Sequence, residues 1–170
     1  MPEILIAYVR WIDAINRRIG HFAMYLILVL IGILLYAGVS KAVFGVGPIW
    51  SVEMASFTLA AIYMLGGAYS LQTGGHVRMD LFYGEWSPRT RALVDCLTVL
   101  GLLLYLGVLL VGAVESTTYA IETGQHRPSA WGPPLWPIRL VMATGVFLML
   151  LQVIAIVIRD IAEIRGVRIP

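Results

Sequence analysis

Charge is what this 170-residue sequence has least of: Asp, Glu, Lys and Arg make up 13% of it, about half the share of an ordinary globular domain. It has one cysteine, Cys96, which excludes an intrachain disulfide and a cysteine-based metal cage. At the head of an apolar run that cysteine reads as a small hydrophobe. Its three histidines, His21, His76 and His126, fall at helix ends or in loops. None can pair with another inside an apolar segment, as a bis-histidine haem in a helical bundle would require. Serine–histidine–aspartate arrangements, phosphate-cradling loops and metal-spaced clusters are missing too. A membrane cytochrome, a hydrolase and a nucleotide-driven enzyme are therefore set aside, and no cofactor is expected. The net charge of +2 comes from arginines beside apolar runs and does not form a nucleic-acid patch.

What the chain has in plenty is apolar surface: 59% of its residues are hydrophobic and the mean hydropathy is +0.85. Four runs, 22–40, 54–75, 96–114 and 140–158, hold 19 to 22 residues each without a charge. About 20 apolar residues cross a roughly 30 Å hydrocarbon core as a helix. These runs are apolar all round, whereas a soluble helix would show a stripe. The first begins after a mixed segment and is too long for a signal-peptide core, so no cleavable leader is expected. The sequence thus predicts an all-α integral membrane protein in one membrane domain, with spans at about 21–44, 51–73, 89–118 and 137–159.

Ahead of the first span, residues 3–19 alternate with helical spacing. Ile4, Tyr8, Trp11, Ile12, Ile15 and Ile19 share one face, and Arg10, Asp13, Arg17 and Arg18 occupy the others. The favoured reading is an N-terminal amphipathic helix lying in the membrane interface; the alternative is an extension of the first span into water. Gly45-Val46-Gly47-Pro48 ends the first span. Trp50-Ser51-Val52-Glu53 opens the second, with Trp50 in the aromatic belt, Ser51 as N-cap and Glu53 at the positive helix end. An acid this near the hydrocarbon boundary also suits contact with a specific partner. Ser56, Ala60, Gly67, Ser70 and Gly74 line up at helical spacing as a stripe of small residues, the kind that lets membrane helices approach closely. Ser87-Pro88 starts the third span, which is long enough to tilt or project. Residues 124–137, with four prolines, Trp131 and Trp136, cannot be regular helix and should lie at headgroup level.

Four spans put both termini and the 74–88 connector on one side. Nine of the twelve basic residues gather there; Lys41, Arg127 and Arg139 lie opposite. The positive-inside rule makes that side cytoplasmic. The connector carries His76-Val77-Arg78-Met79-Asp80. Asp80 is a candidate helix cap, Arg78 a candidate ligand for a helix carboxyl end or a lipid phosphate, and His76 a candidate hydrogen-bond partner for the end of the second span. The plainer alternative for Arg78 and Asp80 is a solvated loop. Nothing ionisable sits mid-span, where a free-standing transporter holds its coupling ions.

The connector resembles that of the small membrane subunit of tripartite ATP-independent periplasmic (TRAP) transporters, the DctQ family. The likeness rests on the run from Gly67 to Gly75 followed by His76-Val77-Arg78-Met79-Asp80-Leu81, on Trp50-x-x-Glu53, and on Trp131-Gly132-Pro133-Pro134-Leu135-Trp136-Pro137 before a last helix bearing Leu151-Gln152. Relatives often have a basic residue near Ser56 and Phe57, and Pro-x-Gly where this chain has Ala143-Thr144-Gly145. The resemblance implies a multi-pass protein of a bacterial or archaeal inner membrane. It also implies a large elevator-type membrane subunit as partner, and a periplasmic binding protein that delivers an organic anion for sodium-coupled uptake. The small subunit would then be a scaffold among membrane lipids, with no nucleic acid involved. The other class open to the sequence is an unrelated four-helix anchor or adaptor for another complex.

Overall fold

The computed structural model describes residues 3–73 and 88–164, with side chains over 3–73, 98–159 and 161–162. Four helices account for nearly all of it: α1 Glu3–Phe44, α2 Ser51–Gln72, α3 Pro88–Glu122 and α4 Trp136–Ile164. Each contains a stretch long and apolar enough to cross a membrane.

The amphipathic segment is not a helix of its own. It forms the first turns of α1, a continuous helix of 42 residues that is about 63 Å long at 1.5 Å per residue. No proline falls between Glu3 and Phe44, and Gly20 is the one glycine near the expected junction. A lone glycine costs a helix only about 1 kcal/mol against alanine. Here its missing side chain is used: a Cβ on Gly20 would overlap the Tyr69 ring of α2.

At its other end α1 stops on Gly45, whose φ of 73° is the left-handed conformation that glycine adopts freely. The turn that follows displaces the expected cap. Trp50 occupies the cap position with α-region angles and no side-chain capping bond. Ser51 is already helical, and both its amide (3.2 Å) and its hydroxyl (2.8 Å) donate to the Pro48 carbonyl. The Pro48–Ser51 turn brings Trp50 into the helical basin, which leaves no extended residue for a serine cap to use. Trp50 stacks on Tyr36 with ring centroids 5.9 Å apart.

α4 is the hub, packing against α1, α2 and α3. One third of its membrane-length window is buried, against 11% or less in the other three helices. On α3 its partners are Leu102, Leu106 and Leu110, which close over Val146, Met149 and Val153. On α1 they are Val9 and Ile12, which close over Ala155. Against α2 the approach is backbone to backbone: a Cβ on Gly145 would stand 2.6 Å from the Met64 carbonyl oxygen. Gly67 of α2 faces the Met149 side chain further along the same face, so the two helices run parallel. The loop from α3 to α4 is irregular but tied. Arg127 and Pro133 share one backbone bond, Leu135 and Gln125 another, and Gly124 and Gly132 take positive φ.

Candidate functional site

The most connected polar cluster lies where the beginning of α1 meets the ends of α2 and α4. Its sequence logic is a seven-residue rhythm on α1: Val9, Ile12, Asp13, Asn16, Gly20 and Ala23 are the buried positions. That face differs from the one hydrophobicity alone selects. Ile4 and Trp11 are exposed, Tyr8, Ile15 and Ile19 are half-buried, and Asp13 and Asn16 turn inward.

Across from them stands Gln152, fully buried on α4. Its Nε2 donates to Asp13 Oδ1 at 3.0 Å, and its Oε1 accepts from Asn16 Nδ2. Arg159, two turns further along α4, donates through a guanidinium nitrogen to Asp13 Oδ2. Among the described residues this is the only ion pair. From α2, Gln72 Nε2 donates to the Asp13 backbone carbonyl at 3.3 Å. Tyr8 donates its hydroxyl to the Leu151 carbonyl at 3.3 Å. Three helices are thus tied at one level.

The direction of the chain follows from charge. Asp13, paired with a guanidinium, can only accept, so Gln152 must turn its NH2 toward it and its oxygen toward Asn16. Asn16 then has to donate, which leaves its Oδ1 facing inward with no donor; Gln72 Oε1 is likewise unmatched. In a low-dielectric interior such a ladder rigidifies the join it makes, and every loss from it is costly.

Of the residues singled out in the sequence, the described ones run from the start of α2 along its length. Trp50 stands at the cap position of α2 without a capping bond and stacks on Tyr36. Glu53 is in the first turn of α2, 7% exposed, with Oε2 unpartnered. Of the small-residue stripe, Gly67 faces Met149, and Ala60 and Ser70 are half-buried. Ser56 is exposed and donates to its own helix at Val52. Gly74, His76, Arg78 and Asp80 lie outside the described residues. Arg139, at the opposite end, donates to the Ser116 carbonyl at 2.8 Å and joins α4 to α3. Sequence reasoning missed Asp13, Asn16 and Gln152 as a set. The available signal was Gln152, the only amide in the charge-free run 140–158, since an amide in that setting needs a partner on another helix.

Four long apolar helices knit by a polar ladder at one end define a multi-pass, all-helical membrane protein. The family follows from the sequence itself. Residues 10–163 match the family model described as "Tripartite ATP-independent periplasmic transporters, DctQ component", and the chain belongs to that family. It is therefore a transmembrane component of a TRAP transporter, its small subunit. None of the curated proteins compared matches the chain.

Proposed function

We propose that this subunit is a static scaffold. It anchors a large, elevator-type membrane subunit in the bacterial or archaeal inner membrane during sodium-coupled uptake of an organic anion, which a periplasmic binding protein delivers. It takes no cofactor and performs no chemistry of its own. Both termini are cytoplasmic, as the arginine distribution favours.

One observation carries this reading: the strong polar side chains where α1 meets α4 are spent on one another. Asp13, Asn16, Gln152 and Arg159 tie α1 to α4, while long stretches of α1 and α3 present apolar side chains outward, among them Leu28, Leu35, Val43, Leu104 and Val108. A fixed internal frame with an apolar exterior suits a part that is gripped in lipid by another protein. The test is sodium-driven uptake of labelled organic acids into liposomes. The reading expects uptake only when the large membrane subunit and the binding protein accompany this chain. Sodium-driven uptake by this chain alone would overturn it.

A further inference from the structure

The two ends of the polar ladder disagree about where the membrane stops. On α1 the charge-free run begins at residue 22; on α4 it continues to residue 158. The helices are antiparallel and their register is fixed, because Asn16 meets Gln152 and both Val9 and Ile12 meet Ala155. Residue 158 of α4 is accordingly level with about residue 9 of α1, which leaves segment 9–22 between the two limits. At 1.5 Å per residue that segment spans about 20 Å along the axis, a zone wide enough to contain one leaflet's headgroups.

The outward side of this segment is basic and aromatic. Arg10, Trp11, Arg17 and Arg18 are all exposed, Trp11 to 65%. Arg10, Ala14, Arg17, Arg18 and His21 follow the three- and four-residue spacing of one helix face. The only acid in the segment, Asp13, is turned inward and used by Arg159. Arg10, Arg17 and Arg18 form no ion pair among the described residues; the exposed Glu3 lies on the same face but two turns before Arg10 and four before Arg17. His21 is otherwise engaged, with Nδ1 2.6 Å from the Arg17 carbonyl and its ring against Tyr69.

We propose that this face is a binding surface for acidic phospholipids, with Arg17 and Arg18 holding the headgroup phosphate and Trp11 seated beside it at the interface. Arginine matches a phosphate with two parallel N–H bonds, and its long stem can cover apolar surface while the head stays polar. Tryptophan favours the same depth. The ladder supplies the geometry: by fixing Asp13 against Arg159 and Asn16 against Gln152, it sets which side of α1 faces the lipid. This surface would exist whether or not the chain scaffolds a transporter.

The experiment is native mass spectrometry of the full-length chain in mild detergent, titrated in parallel with phosphatidylglycerol and phosphatidylcholine. Attraction to an anionic headgroup grows about fivefold per arginine, so phosphatidylglycerol should be retained at least about fivefold over phosphatidylcholine. Raising sodium chloride toward about 0.5 M should erode that preference as charges are screened. R17Q/R18Q should abolish the preference, R17K/R18K should keep most of it, and R127Q at the opposite end should leave it intact. Equal retention of the two lipids by the wild type overturns the inference, as does an undiminished preference in R17Q/R18Q. Displacement of phosphatidylglycerol by millimolar inorganic phosphate would also overturn it, since the surface would then be a free-anion site. If R17Q/R18Q fails to fold, the wild-type lipid comparison and its salt dependence decide alone.

Discussion

Asp13 and Arg159 stand 146 positions apart in sequence and form an ion pair across α1 and α4. The carboxylate is the more enclosed partner, its side chain 12% exposed against 32% for the guanidinium. It also accepts from Gln152, so it is the residue on which the join depends. Replacing Asp13 with alanine leaves Gln152 Nε2 and Arg159 without their acceptor, at an expected cost of about 2 kcal/mol. Arg159→Ala leaves a carboxylate still bonded to Gln152 and should cost less. In the double-mutant cycle, unfolding in detergent should give a coupling of about 1 kcal/mol, in the range of polar contacts between membrane helices. Additive single effects would mean that the pair contributes nothing to the join.

Gln152 tests the ladder from its middle. Gln152→Leu strands the amide of buried Asn16, both of whose polar atoms then lack partners, and should destabilise by about 1–3 kcal/mol. Substituting leucine at both positions removes the stranded group as well, so N16L/Q152L should be no less stable than Q152L alone. Thermal unfolding of the three proteins in one detergent decides the order. A double variant that unfolds clearly below Q152L would mean that the two amides serve something other than each other.

How much of this could be read in advance depends on the range of the signal. The four spans follow from runs of about 20 apolar residues, a property each helix carries by itself. The ladder does not, because Asp13 and Asn16 on an isolated helical wheel look like an ordinary polar flank. Only the arrival of Gln152 and Arg159 from the far end of the chain makes that flank the inside. The single α1 stood only as the alternative reading, and its contact at Gly20, a seat for the Tyr69 ring, depends on a neighbour 49 positions away. The Ser51 cap failed for a local reason, the turn at Pro48.

The glycines separate close approach from mere small size. At Gly145 an added Cβ meets the Met64 backbone at 2.6 Å and 2.8 Å, and backbone cannot step aside without parting α2 from α4. At Gly67 the nearest atom is the Met149 sulfur at 2.8 Å, the far part of a side chain with several rotatable bonds. Gly145→Ala should therefore cost about 1–3 kcal/mol of overpacking, and Gly67→Ala should cost less than about 1 kcal/mol. Equal losses in thermal unfolding would contradict this distinction between a backbone contact and a side-chain contact.

Gly20 gives a third comparison on the α1–α2 face. The clash there is with the base of the Tyr69 ring, which cannot rotate clear as a thioether can. Gly20→Ala should destabilise more than Gly67→Ala, and Y69A, which removes the ring but keeps the Cβ that also clashes, should relieve part of that penalty in the double variant. An undiminished penalty in G20A/Y69A would show that the glycine is needed for the bend or freedom of α1 instead.

If these helices exist to be held by another membrane protein, that protein should come away with them. The direct measurement is to purify the affinity-tagged chain from its native membrane in mild detergent and determine what accompanies it, and in what ratio. The predicted result is one much larger polytopic membrane protein in fixed stoichiometry, surviving size-exclusion chromatography. Recovery of the chain by itself, or only with further copies of itself, would contradict the scaffold role.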